Sequence, residues 1–134
     1  VKAVLDTNVL ISGFLADGVC ARILRRARNG DFLFVLPTVV LEEFERVLKN
    51  KFRLDDGEVS FFSAIVSEAA GEIHQPVKPV EEICRDRDDD VILACATEGQ
   101  ADFLVTGDDD PLVLKACKRT KILRPRDFEL LFDD

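Results

Sequence analysis

Short apolar runs and longer periodic stretches alternate along this chain, separating strands from helices. Residues 3–5 are uniformly apolar, read as a buried strand and stop at Asp6. Val9, Leu10 and Ile11 open an apolar helical turn, and a loop follows through Gly13, Asp17 and Gly18. Ala21, Ile23, Leu24 and Ala27 then recur with helical spacing, arginines fill the other face, and Asn29-Gly30 ends the element. Residues 32–36 read as a second strand closed by Pro37, and Thr38 suits the cap of the next helix. That helix carries Val40, Leu41, Phe44, Val47 and Leu48 on one face. At roughly 100° per residue, Glu42 points to solvent and Glu43 and Glu45 lie on the two flanks, where a side chain can turn inward to a site.

A helix over residues 58–70 buries Val59, Phe62, Ile65, Val66 and Ala69, and residues 74–77 form a short extended piece before a connector over 79–83. Residues 91–97 are too uniformly apolar for a surface helix, so this helix is expected to be buried, with Asp89 or Asp90 at its amino end. Residues 101–105 read as a strand that leads through Thr106-Gly107 to Asp108. Pro111 suits the first position of a helix running through Cys117, residues 120–123 are a last strand, and Pro125 starts a last helix through Asp127, Leu130 and Leu131. The alternation predicts an α/β fold in which a mainly parallel sheet is covered on both faces. A length of 134 residues fits one domain over residues 1–134.

Composition narrows the chemistry. No apolar run reaches the length of a membrane span, and no charged-apolar-small leader opens the chain, which together predict a cytoplasmic protein without membrane contact. Cys20, Cys84, Cys95 and Cys117 are scattered and His74 is the one histidine, so zinc-site spacing is absent. His74 reads as an ordinary satisfied or exposed residue. The net charge of −8 opposes a polyanionic partner on its face. Yet carboxylates concentrate at residues 86–90 and 108–110, while basic residues group at Arg22, Arg25, Arg26 and Arg28 and again from 115 to 126. Bound divalent cations can turn a concentrated acidic site into one that attracts phosphate.

In a parallel sheet the carboxyl ends of the strands share one side, so Asp6, Asp89 or Asp90, and Asp108 converge there, and Glu43 can join them from its helix. Four close carboxylates repel one another unless a cation lies between them. With no histidine or cysteine ligands, Mg²⁺ or Mn²⁺ is the natural occupant, and phosphate chemistry the natural use.

Four stretches carry a resemblance: Val4-Leu5-Asp6-Thr7-Asn8-Val9-Leu10-Ile11-Ser12, Leu41-Glu42-Glu43-Phe44-Glu45-Arg46-Val47-Leu48, Arg85-Asp86-Arg87-Asp88-Asp89-Asp90, and Ala101-Asp102-Phe103-Leu104-Val105-Thr106-Gly107-Asp108. In this order they resemble the motifs of PIN-domain proteins, closest to the branch related to the VapC toxins of toxin-antitoxin modules, and Ile122-Leu123-Arg124-Pro125-Arg126-Asp127-Phe128 is similar to that family's tail. The resemblance implies a three-layer α/β/α sandwich and a metal-dependent endoribonuclease. Asp6, Glu43 and Asp108 match the metal-binding carboxylates; aligning on the acidic loop selects Asp89 as the third acid, and aligning on the buried helix selects Asp90. Asp110 fits a further acidic position, although Pro111 replaces the usual leucine after it. Asn8 and Thr106 match polar positions that orient carboxylates or water, and both also suit turns and caps. Arg22, Arg25, Arg26, Lys115, Lys118 and Arg119 are candidate RNA phosphate contacts. RNA substrate, an antitoxin partner and a homodimer follow from the resemblance alone.

Two other readings compete. A haloacid-dehalogenase-like phosphatase also opens with an aspartate after its first strand, but needs a second acid where this chain has Asn8. A PIN-like scaffold that binds RNA or protein without catalysis is the other, and against it stands the presence of every expected carboxylate.

Overall fold

The computed structural model describes residues 1–107 and 114–132. Six strands form one sheet: β1 (Lys2–Leu5), β2 (Leu33–Pro37), β3 (Glu72–His74), β4 (Phe103–Val105), β5 (Ala116–Cys117) and β6 (Thr120–Leu123), in the order β3-β2-β1-β4-β6-β5. All neighbours pair in parallel except β5, which runs antiparallel to β6. Among the described residues the helices are α1 (Thr7–Leu15), α2 (Val19–Asn29), α3 (Thr38–Asn50), α4 (Asp56–Ala69), α5 (Arg87–Glu98) and α6 (Pro125–Glu129). From β1 the chain steps outward to β2 and β3, carrying α1 to α4; it then returns past both strands to β4, carrying α5. Because parallel crossovers are right-handed, the reversal puts α5 on the opposite face from α1 to α4. The expected three-layer, mainly parallel architecture is what the chain forms.

The reversal has a second consequence. β1 and β4 are neighbours whose connections leave in opposite directions, which opens a crevice beyond their carboxyl ends. Both strands have short apolar sequences with no exposed side chain to spend on solvent: Ala3, Val4 and Leu5 are fully buried, as are Leu104 and Val105 to within a percent. Position along these strands therefore decides which residues emerge at the crevice.

Apolar packing fixes the helices as their periodicity predicts. Val40, Phe44 and Leu48 are the buried stripe of α3, Glu42 is exposed, and Glu43 and Glu45 are half-buried on the flanks. Glu45 is used for packing, accepting a hydrogen bond of 2.8 Å from the Ser63 hydroxyl of α4. α2 ends where Gly30 adopts a left-handed conformation (φ 79°) and its N–H reaches the carbonyls of Arg26 and Ala27. At the amino edge of the sheet Phe128 is fully buried, with its ring centroid 5.1 Å from that of Phe32, 5.8 Å from Phe103 and 5.3 Å from Phe132.

Several boundaries differ from expectation: α1 runs on through Gly13 to Leu15, where a loop was expected, and β3 spans Glu72–His74 rather than residues 74–77. α4 begins ahead of residue 58, because Asp55 and Glu58 form a reciprocal capping box. The helix expected from Pro111 through Cys117 does not reach Cys117: Ala116 and Cys117 pair with Lys121 and Thr120 as β5. Positive φ at Lys115 (60°) and Lys118 (53°) brackets that hairpin strand, a conformation helical periodicity does not reveal. The last helix ends at Glu129, short of Leu130 and Leu131, which are exposed. Among the described residues, no single helix is long and apolar enough to cross a membrane.

The connector between β3 and α5 is held at both ends by carboxylates of α5. Glu98 accepts hydrogen bonds from the amides of Val77 (2.9 Å) and Lys78 (3.0 Å) and pairs with Nε2 of His74 at 3.0 Å. His74 is thus a satisfied structural residue, as its isolation in sequence suggested. The Val77 amide, the His74 ring and the Lys78 amide together hold the Glu98 carboxyl far below the usual range, at about 2. A carboxyl depressed in the folded state stabilises the fold above its unfolded pKa and loses that contribution as pH falls through the folded value. Stability is therefore expected to decline between pH 4.5 and 2 in part through Glu98. In Glu98→Gln, melting temperatures measured across this window should fall less steeply than in the wild type; identical slopes would contradict the assignment.

Candidate active site

Asp6 follows β1 directly and is the N-cap of α1, with extended backbone (φ −72°, ψ 162°). One carboxylate oxygen accepts the Thr7 amide at 2.7 Å. Capping a helix asks for no more than that. The other oxygen accepts the Thr106 hydroxyl, also at 2.7 Å, from the residue that follows β4 across the crevice. Thr106 is fully buried and Asp6 is 6% exposed. The carboxylate is consequently held from both strands of the switch point, with the Thr106 hydroxyl on one of its oxygens.

Glu43 reaches the same place from the flank of α3. Burial raises its carboxyl above the usual carboxylate range, the nearby Thr7 hydroxyl opposes the rise, Asp6 and Asp88 add to it, and Arg46 lowers it. The Thr7 hydroxyl is buried without a hydrogen bond of standard geometry, leaving a polar oxygen at the crevice to be satisfied. Asn8, one residue on, is exposed on the first turn of α1.

The acidic run of α5 divides among several tasks. Asp86 is the N-cap, accepting the Asp88 amide at 2.9 Å. Asp88, which the sequence reading did not single out, is the member whose charge acts on Glu43. Asp89 is buried in the same first turn. Asp90 is 3% exposed, and one of its oxygens accepts the amides of Ile83 (3.1 Å) and Cys84 (2.7 Å). That carboxylate secures the connector, and Asp89 and Asp90 are both buried in the first turn of α5. Three successive helical residues point about 100° apart, and only the tertiary surroundings tell their roles apart. Asp108 and Asp110 lie outside the described residues. Among the described residues no three histidine, cysteine or carboxylate side chains come close enough to share one ion.

The donors present nonetheless suit a hard divalent cation. Asp6, Glu43 and the α5 acids offer only oxygen, Asp6 and Asp88 press on Glu43, and the buried Thr7 hydroxyl lies beside the Glu43 carboxyl. A cation between these groups would relieve the repulsion that neighbouring carboxylates otherwise impose.

Most of the expected phosphate contacts lie elsewhere. Arg26 is committed to the fold: its Nη2 and Nε lie 2.7 and 3.0 Å from Glu129, its Nη1 lies 3.4 Å from Asp31, and its guanidinium stacks 4.4 Å from the Phe132 centroid. The cause is its place near the end of α2, beside the amino edge of β2, where α6 packs. This removes Arg26 from the RNA-contacting set. Lys118 and Arg119 occupy the turn that precedes β6, and Lys118 lies 3.7 Å from Glu81. Lys115 is exposed just before β5. Arg22 is exposed and its Nε lies 3.9 Å from Glu129, and Arg25 lines a separate hollow between α1 and α2 with Phe14 and Arg28.

Comparison with known proteins agrees with this geometry. No curated protein matches the chain. The family model of the PIN domain matches residues 2–110, a span that begins in β1 and takes in Asp6, Glu43, the acidic turn of α5 and Thr106. Such domains are commonly nucleases and generally use divalent metal ions. With most of its length inside that match and its paired strand ends at the switch point, this chain belongs to the PIN-domain family.

Proposed function

We propose that this protein is a Mg²⁺- or Mn²⁺-dependent endoribonuclease that hydrolyses RNA phosphodiester bonds. The observation that carries the reading is the Asp6 carboxylate, clamped by Thr106 and the Thr7 amide at the sheet's switch point and close enough to Glu43 to perturb it. In this reading Asp6, Glu43, Asp89 and Asp108 hold the ion, with Asp88 adding negative charge beside them. A bound divalent ion supplies acidified water and neutralises charge on phosphate oxygens. The carboxylates keep their oxygens for the ion and do not attack phosphorus. Water adds to phosphorus in line, the bond to the 3′-oxygen breaks, and that oxygen takes the proton. The products carry 5′-phosphate and 3′-hydroxyl ends, and the 2′-hydroxyl takes no part.

The toxin role in a toxin-antitoxin pair, with an antitoxin partner and a homodimer, rests on the family resemblance and extends the same proposal, as does a cytoplasmic location. The test is incubation with single-stranded RNA of mixed sequence in Mn²⁺, in Mg²⁺ and with chelator. Metal-dependent internal cutting with 5′-phosphate ends is the expected result. Hydrolysis of small phosphomonoesters with no cutting of RNA would overturn it in favour of a dehalogenase-like phosphatase. RNA binding without cutting in any metal would favour the non-catalytic scaffold.

A further inference from the structure

Beside the carboxylates lies a hollow of about 400 Å³ that their chemistry leaves unexplained. It is an open depression bordered by the first turns of α3 and α5 and by the connector after β3. Val39, Pro76 and Val91 give it apolar walls, and Glu42, Lys78 and Arg87 stand around them. Glu42 and Arg87 are the chain neighbours of Glu43 and Asp88, so hollow and site share the same two helix ends.

Topology fixes the direction in which it extends. Pro37 pairs with His74 where β2 and β3 end, and the hollow's residues follow immediately: Thr38 and Val39 on one side, Gln75 and Pro76 on the other. It therefore overlies the carboxyl ends of β2 and β3, while Asp6 and Thr106 mark those of β1 and β4. Strands lie ~4.8 Å apart, which sets the hollow ~5–10 Å to one side of the crevice. That is the reach of a single nucleotide.

Two cations and one carboxylate, Lys78, Arg87 and Glu42, line it. The Arg87 guanidinium donates to the Val80 carbonyl at 3.4 Å, which holds it over the connector, and Lys78 lines the same hollow. Glu42 lines it from α3. Apolar walls accept the flat face of a base, and lysine and arginine accept a phosphate.

We propose that this hollow is a subsite for the phosphate next along the strand from the scissile one, held on Lys78 and Arg87, with the base beyond it against Val39, Pro76 and Val91. The proposal rests on the nuclease reading for the position of the scissile bond, but the binding it asserts is separable from cleavage. It makes Lys78 and Arg87 positioning residues: they hold RNA in register and touch no reacting atom.

The experiment compares the full chain with Lys78→Ala/Arg87→Ala and with Arg87→Lys. Affinity for a fluorescent RNA tetranucleotide is read by anisotropy with chelator present, and KM and kcat are measured on di- and tetranucleotides with Mn²⁺. In the wild type the longer RNA should have the lower KM. The double variant should lose about tenfold in tetranucleotide affinity, bind with a shallower salt dependence, and lose the KM advantage while kcat on the dinucleotide and the melting temperature stay unchanged. Arg87→Lys should retain part of the affinity. Unchanged tetranucleotide binding in the double variant, or an equal loss on both substrates, would overturn the subsite. If the wild type cuts no RNA in any metal yet the double variant loses binding, the nuclease reading fails and the hollow stands as an RNA site.

Discussion

Asp6→Asn is expected to abolish RNA cleavage without unfolding the protein. The substitution keeps the shape of the side chain and removes one negative charge from a crowd that includes Glu43 and Asp88. The asparagine carbonyl can still accept the Thr7 amide, and the Thr106 hydroxyl can rotate to accept from the new amide, so neither buried partner is orphaned. Stability should therefore match or slightly exceed that of the wild type, since a repulsion has been relieved. Activity should fall by ~10²–10³-fold or more, the scale set by loss of a preorganised charged group at a reacting centre. Thermal melting and RNA cleavage on the same preparations separate the two effects. A variant that fails to fold would place Asp6 among structural caps, and one that cuts RNA normally would remove it from the site.

Arg26→Ala should do the opposite. Arg26 and Glu129 are 12% and 13% exposed, and the ion pair joins α2 to α6 while Phe132 covers the guanidinium. Removing the arginine leaves a largely buried carboxylate without its main partner and strips cation-π contact from the ring. Breaking a fully buried pair costs about 3–5 kcal/mol, and the residual exposure here argues for about 2–3 kcal/mol. Denaturant unfolding should register the loss, and Arg26→Ala/Glu129→Gln should recover part of it. RNA affinity measured on the folded protein should not change. A stable variant with weakened RNA binding would return Arg26 to the phosphate contacts.

The two arginine and aspartate cases show what the sequence conveys. Asp6 was legible because an apolar run that ends in an acid is a local pattern, and a parallel sheet sends every such end to one side. Glu43 was legible because helical periodicity alone separates it from exposed Glu42. Both inferences use geometry that belongs to the element itself. The roles within Asp88-Asp89-Asp90 were not legible, since Asp90 answers amides of a connector and Asp88 answers Glu43, and both partners are distant in sequence. Arg26 misled for the same reason: on α2 it resembles Arg22 and Arg25, and only Glu129, 103 residues away, distinguishes it. The β5 strand escaped because Pro111 is a sound helix signal while the turn at Lys118 is set by a positive φ that lysine seldom adopts.

The most direct test of the account is whether these carboxylates bind a divalent ion. Mn²⁺ titrated into the full chain and followed by electron paramagnetic resonance, without RNA, reads this independently of any substrate. Saturable binding that is competed by Mg²⁺ and lost in both Asp6→Asn and Glu43→Gln is expected. Binding of equal strength in all three proteins, or none in the wild type at millimolar Mn²⁺, would contradict it.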